Sequence, residues 1–196
     1  MHFAHYVPTD LNIPNIKISF YNVRSLSAYR IDSTGAKRYK RVIQNISELL
    51  RTNHIVCLQE THLLPLDDFS LRKEFKNHKL YYNNLDRAGG MLSLVHPSVL
   101  KCFDLTVIPL PACTRGRVQA FRFDPTFAGH RYDHSLNLIS WHFEGDKIAQ
   151  VKSLLRINKE VRTIGGGDCN FVNSSEDAPS DNSGIILSGA LRSAWT

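Results

Sequence analysis

The chain up to residue 60 alternates two short apolar runs with one long amphipathic segment, and this order limits the fold strongly. Residues 15–21 alternate apolar and polar side chains, which predicts a strand. Residues 37–51 carry apolar side chains at helical spacing, which predicts a helix with one buried face. Residues 54–58 form an apolar run between polar residues, which predicts a buried strand. Strand, helix and strand in this order indicate a layered α/β fold.

Polar side chains stand directly after the predicted strands. Asn22 and Glu60 follow the first two strands, and His142 and Asp168 follow two later apolar runs in the same way. Strand ends that share one edge of a layered fold form a common cleft, and ligands of α/β sheets gather there. We therefore expect these four side chains to line one cleft.

A glycine-rich segment at 165–170 adds chemistry to this pattern. Gly165 to Gly167 follow a β-branched run and precede Asp168 and Asn170, so we expect a tight turn whose backbone approaches a bulky anion. A carboxylate can hold Mg²⁺ or accept a proton from water, and an amide can donate to a phosphate oxygen. The segment indicates cleavage of a phosphate ester, although its composition is also typical of an ordinary turn.

The charge distribution favours a polyanionic partner. The sequence has 24 Lys and Arg against 18 Asp and Glu, a net charge of +6. Lys37, Arg38 and Arg41 belong to one basic run, and Arg24 lies shortly before it. These four residues are candidate nucleic-acid contacts, although a basic run at the start of a helix is equally typical of a solvated face.

Composition also bears on the cellular setting. No apolar run is long enough to span a bilayer, so we expect no membrane partner. The four cysteines form no Cys-x-x-Cys pair and no zinc spacing, which favours reduced thiols and an intracellular location. With 196 residues and no evident linker, the chain is expected to form one domain.

Three segments together carry a resemblance to a known family. Ser19–Leu26, Val56–His62 and Gly166–Asn170 resemble motifs of the endonuclease/exonuclease/phosphatase superfamily, in the same order and spacing. The sequences Asn-Val-Arg-Ser-Leu and Leu-Gln-Glu-Thr within them are most similar to the apurinic/apyrimidinic-like endonuclease domain of non-LTR retrotransposons. The resemblance covers about residues 15–170.

The resemblance implies a four-layer α/β sandwich, in which two packed, mostly antiparallel sheets are flanked by helices. It implies hydrolysis of a phosphodiester with Mg²⁺ or Mn²⁺, with DNA as the substrate and partner. The nucleus then becomes a candidate compartment.

The resemblance also implies roles for individual residues. Glu60 matches the metal-binding glutamate of the family, and Asn22 matches the asparagine that helps to hold metal and phosphate. Asp168 and Asn170 match the pair that orients the attacking water and stabilises the phosphoryl oxygens. His142 stands where some relatives carry a histidine and others a tyrosine near the leaving group.

The sequence departs from the family pattern in two places. Cys169 replaces the usual phenylalanine, a change that a packed interior tolerates. The Ser/Thr-Asp-His segment of the family does not follow Asn170, and the Asp-His pair at 133–134 precedes Asp168, in the wrong order to replace it. We therefore expect residues 1–196 to be a domain incomplete at its C-terminus, with weak or no nuclease activity.

Two other functions are compatible with the same motifs. One is a phosphoesterase that acts on a phosphoinositide, a lipid or an RNA, because one fold supports all of these substrates. The other is a non-catalytic remnant that still binds nucleic acid. The positive charge and the Asn-Val-Arg-Ser-Leu wording favour a DNA endonuclease.

Overall fold

The structure is a computed structural model. It describes residues 16–26, 33–83, 89–126, 134–144, 147–157, 161–168, 171–172 and 185–186. In chain order, the elements are β1 (Ile18–Asn22), α1 (Ser33–Thr52), β2 (Ile55–Gln59), α2 (Asp67–Glu74), β3 (Lys79–Asn83), β4 (Met91–Val95), α3 (Pro97–Cys102), β5 (Phe103–Val107), a 3₁₀ turn (Ala112–Thr114), β6 (Val118–Pro125), β7 (Leu136–His142), α4 (Lys147–Leu154), β8 (Arg162–Asp168), β9 (Phe171–Val172) and β10 (Ile185–Ile186).

Eight of these strands form two mixed sheets. The first sheet has the order β1-β2-β4-β3 and the second has the order β5-β6-β7-β8. Four of the six pairings are antiparallel, whereas β1–β2 and β7–β8 are parallel. Each parallel pair is connected through a helix, α1 in the first sheet and α4 in the second, as a parallel connection requires. A separate parallel pair joins β9 to β10.

Side-chain alternation along the strands separates the layers. In β2, Val56 and Leu58 face α1 and pack in one core with Val42 and Ile46 of that helix. Ile55 and Cys57 point the other way, into a second core between the sheets. This central core also contains aromatic and aliphatic side chains of the second sheet, namely Phe121, Phe123 and Leu138.

A third core completes the stack on the outer face of the second sheet. Val151 of α4 packs there against Ile139 and Trp141 of β7. The layers are therefore helix, sheet, sheet and helix, which confirms the predicted four-layer α/β sandwich with mostly antiparallel sheets. Within the described ranges, no helix has both the length and the apolar character needed to cross a membrane.

The apolar residues within 99–108 predict a single strand, and this prediction is wrong in its first half. The structure has helix α3 before β5 in this region. The side chain of His96 accepts a hydrogen bond from the Ser98 N–H, and Pro97 occupies the first turn of the helix. An N-terminal cap followed by proline starts a helix even among β-branched residues.

The prediction of a tight turn at the glycines is also wrong, because strand β8 continues through Gly165, Gly166 and Gly167 up to Asp168. A Cβ atom on Gly166 would lie 2.4 Å from the Phe20 ring, and one on Gly167 would lie 1.8 Å from the backbone oxygen of Trp141. The glycines serve close packing rather than a turn.

The C-terminal tail falls mostly outside the described residues. The short apolar segment at 185–195 predicts a helix, but Ile185–Ile186 form strand β10. The predicted helix at 37–51 begins earlier than expected, at Ser33.

Adding one methyl group to β8 tests this packing. We expect Gly166→Ala to lower the free energy of unfolding by about 1–3 kcal/mol, because the Phe20 ring has to move. Gly167→Ala should cost more, since a backbone oxygen cannot rotate away. Urea unfolding of both variants measures the difference, and wild-type stability in either would contradict the packing argument.

Three histidines meet at the end of the first sheet where β2 begins. The rings of His54 and His78 lie 6.5 and 5.4 Å from the ring of His96. Nδ1 of His54 accepts the Lys17 N–H, and Nδ1 of His96 accepts the Ser98 N–H. Burial is the main cause that lowers the pKa of both His54 and His78 below 6.5, and the neighbouring His96 ring lowers both values further. The charge of Lys17 also lowers the pKa of His54.

This cluster predicts acid sensitivity. The pKa values of His54 and His78 are lower in the folded than in the unfolded chain. Their contribution to the free energy of unfolding is therefore present above about pH 6.5 and is lost as the pH falls toward the folded pKa values. His54→Asn keeps an acceptor for the Lys17 N–H and cannot be protonated there, so it should lose less stability between about pH 7.5 and about pH 5. Urea unfolding at both pH values tests this, with the exposed His134→Asn as control. Equal pH dependence in the two variants would contradict it.

Candidate active site

Four strands bring their carboxyl ends to one edge of the sandwich. Asn22 ends β1 and pairs in register with Gln59 at the end of β2, while His142 ends β7 and pairs in register with Asp168 at the end of β8. Across the interface, β1 lies against β8 and β2 against β7. The alternation that buries Ile18, Leu138 and Ile164 between the sheets also turns the three strand-end side chains of Asn22, His142 and Asp168 inward.

Glu60 reaches this edge through an unusual backbone conformation. Gln59 points between the sheets, where its Nε2 lies 3.4 Å from the Ser140 hydroxyl, so alternation alone would turn Glu60 outward. Glu60 has a φ of 51°, in the left-handed region that is rare for non-glycine residues. Its carbonyl accepts the Ser25 N–H at 2.7 Å, which holds this conformation. Such a conformation is costly and is found most often at functional sites.

The Glu60 carboxylate is oriented by Asn22. Nδ2 of Asn22 donates to Oε1 of Glu60 at 2.8 Å, and Oδ1 of Asn22 accepts the Arg24 N–H at 3.0 Å. The two partners fix which end of the amide is which, because a carboxylate can only accept and an N–H can only donate. Asn22 therefore positions Glu60, and its own oxygen is already engaged.

His142 connects the two sheets. Its Nε2 lies 3.2 Å from Oε1 of Glu60 and its Nδ1 lies 4.0 Å from Oδ2 of Asp168. The imidazole is 5% exposed, and the His142 N–H donates to the Arg117 carbonyl at 2.8 Å. The structure therefore brings Asn22, Glu60, His142 and Asp168 together at one edge.

The buried imidazole sits between two carboxylates, and its protonation reflects opposing effects. Burial lowers the pKa of His142 below its usual range. The carboxylates of Glu60 and Asp168 raise this pKa, whereas the positive charge of Arg117 lowers it further. Because a carboxylate can only accept, the Nε2 atom next to Glu60 is the one that has to carry a proton for a hydrogen bond to form between them. Nδ1 is buried and has no hydrogen-bond partner among the described residues, so its lone pair is available to accept a proton.

The oxygen donors at this edge fit a hard divalent cation. Glu60 is 25% exposed, and with Oε1 held by Asn22 and His142 its second oxygen can face a cation. Mg²⁺ keeps several waters and needs only one or two carboxylates. Among the described residues there is no group of three or more His, Cys, Asp or Glu that could hold a metal ion.

The predicted basic contacts lie beside this edge. Arg24, Lys37, Arg38 and Arg41 are all exposed. The Arg38 guanidinium donates to the Arg24 carbonyl, which joins the start of α1 to the loop that holds Asn22. The basic run is thereby connected to the site. Asn170, the remaining predicted residue, lies outside the described residues.

Sequence reasoning missed an ion pair next to His142. Nη2 of Arg117 lies 2.5 Å from Oε2 of Glu144. Glu144 follows His142 by two residues and shows no pattern of its own in the sequence. Arg117 precedes strand β6 and belongs to a loose basic group with Arg115 and Arg122, but nothing in the sequence pairs it with Glu144. Their proximity arises from the pairing of β6 with β7.

Comparison with solved structures shows the fold. The chain resembles an AP endonuclease from Archaeoglobus fulgidus, with 16% identity over 92% of this chain and 68% of that protein and a TM-score of 0.55. It resembles ANGEL2, a 2′,3′-cyclic phosphatase, with 14% identity over 89% and 65% and a TM-score of 0.57. It also resembles TDP2 from C. elegans, with 19% identity over 88% and 51% and a TM-score of 0.51.

The chain has the same fold as these three proteins. It spans 51–68% of their lengths. No family model matches the sequence, and no curated protein matches it significantly.

The bond between Asn22 and Glu60 can be tested by adding a charge. Asn22→Asp places a second carboxylate against Glu60, so we expect a loss of about 1–3 kcal/mol at about pH 7. Because repulsion raises the pKa of the pair, the loss should shrink as the pH falls through that raised value. Urea unfolding at several pH values measures it, with Asn45→Asp on exposed α1 as control. Equal stability of the two variants would contradict the contact.

Proposed function

We propose that this protein is a metal-dependent phosphodiester hydrolase, and that it acts as a DNA endonuclease of the retrotransposon type. The observation that carries the proposal is the meeting of Asn22, Glu60, His142 and Asp168 at one edge of the sandwich, through contacts of 2.8, 3.2 and 4.0 Å. Residues far apart in the chain are held there at a cost in backbone conformation at Glu60.

Each side chain has a role that its surroundings support. Glu60 holds Mg²⁺ or Mn²⁺, which when bound neutralises charge on the phosphoryl oxygens. Asn22 keeps the Glu60 carboxylate in place. Asp168, which is 44% exposed, orients the attacking water together with Asn170. His142 is held by Glu60 and exchanges a proton near the leaving oxygen.

The basic surface supports DNA as the substrate. Arg24 and Arg38 are linked to one another beside the Asn22 loop, and Lys37 and Arg41 lie on the same helix as Arg38. A row of cations next to a phosphodiester site neutralises flanking phosphates and releases counterions. The Asn-Val-Arg-Ser-Leu motif, which resembles that of retrotransposon endonucleases, supports the same substrate.

Nicking of supercoiled plasmid DNA with and without Mg²⁺ tests the function. We expect nicking that requires the cation, and we expect Glu60→Gln to reduce the rate by about 10²-fold or more. Glu48→Gln is the matched control, because Glu48 pairs with Arg51 on the exposed face of α1.

Two outcomes would contradict the proposal. One is nicking that is unchanged in Glu60→Gln, which would indicate a contaminating nuclease. The other is the absence of nicking together with Mg²⁺-dependent cleavage of a phosphoinositide or an RNA 2′,3′-cyclic phosphate, which would assign another substrate to the same site.

A further inference from the structure

Arg117 occupies a central place beside the candidate site. Its carbonyl accepts the His142 N–H at 2.8 Å. Its guanidinium covers Gly89, where a Cβ atom would lie only 2.5 Å from Nη1. Gly89 in turn accepts the His62 N–H, so Arg117 also borders the loop that carries Glu60. Its positive charge reaches the imidazole of His142.

Glu144 is the acid that pairs with this arginine. Its Oε2 lies 2.5 Å from Nη2 of Arg117. The backbone of Glu144 is fixed by Gln150 of α4, whose side chain donates to the Glu144 carbonyl at 2.7 Å and lies 3.3 Å from its N–H. The Glu144 side chain is 58% exposed, whereas that of Arg117 is 17% exposed. The arginine is thus held in place by the fold, and its acidic partner lies on the solvent side.

The chemistry of the pair suits exchange with a phosphate. A guanidinium has five N–H donors and binds carboxylate and phosphate oxygens with the same fork geometry. An exposed carboxylate gains little from such a pair, because solvent screens it. A phosphate arriving from solvent therefore competes with Glu144 for the same cation.

We infer that Arg117 is a second phosphate-binding residue of the site, and that Glu144 competes with the polynucleotide for it. This inference rests on the proposed function only for the nature of the substrate. Arg117 contacts a phosphate next to the one that is cleaved, and Glu144 is displaced when DNA binds. The acid weakens binding by every polynucleotide and thereby limits the affinity of the site.

Binding of a short DNA duplex without divalent cation tests this inference, because it requires no catalysis. We expect Glu144→Gln to bind roughly three- to tenfold more tightly than the wild type. The slope of log affinity against log salt should stay nearly the same, because both proteins make the Arg117–phosphate contact once DNA is bound. Glu48→Gln changes the net charge equally and also releases an arginine, but on exposed α1, so it serves as the matched control.

A double variant separates release of Arg117 from simple loss of repulsion. In the Arg117→Gln background, Glu144→Gln should change affinity less than twofold, because no cation remains to be released. Equal effects of Glu144→Gln in both backgrounds would overturn the inference, as would equal affinities of Glu144→Gln and Glu48→Gln. A wild-type chain that does not bind DNA at low salt would overturn it too.

The inference and the proposed function can fail separately. If Glu144→Gln tightens DNA binding as expected while plasmid nicking is absent or insensitive to Glu60→Gln, the phosphate contact stands and the hydrolase proposal fails. If nicking depends on Glu60 but Glu144→Gln binds DNA with the affinity of the wild type, the hydrolase proposal stands and the role of Arg117 fails. Thermal unfolding of each variant shows whether it is folded; if Arg117→Gln is not, the comparison of Glu144→Gln with Glu48→Gln decides.

Discussion

One carboxylate oxygen, Oε1 of Glu60, joins the two sheets at the edge where the candidate site lies. It accepts from Asn22 in its own sheet and lies 3.2 Å from Nε2 of His142 in the other. This arrangement exists only while the sheets pack at their observed separation. Aromatic side chains in the central core and the glycines of β8, which admit the Phe20 ring, set that separation. The geometry of the site is therefore a consequence of packing, and any change in the core is felt at the carboxylate.

The charges at this edge are divided between an acidic interior and a basic rim. Glu60 and Asp168 flank a buried imidazole, and such a set is unfavourable near a phosphate unless positive charge is added. A divalent cation on Glu60 and the arginines outside provide that charge in the proposed function. In the proposed function, part of that charge comes from Arg38, which is joined to the Arg24 carbonyl, and part from Arg117, which is paired with Glu144.

The two ends of the sandwich differ in how the backbone is held. Among the described residues, the positive φ angles outside glycine fall at Arg24, Ser25, Glu60 and His62, in the loops after β1 and β2. Costly conformations thus concentrate at the candidate site. The opposite end of the first sheet has histidines whose ring nitrogens accept backbone N–H groups, an arrangement that stabilises the fold.

Periodicity in the sequence determined the layers and most elements of this protein, because alternating and helical patterns reflect which faces are buried. It also placed Asn22, His142 and Asp168 at strand ends. It did not reveal helix α3, whose start depends on a cap at His96, or the extended course of the glycines, which depends on the rings they pack against. Only the tertiary structure decided the position of Glu60. Strand alternation turns its side chain away from the site, and the left-handed backbone, held by the Ser25 N–H from another strand end, turns it back.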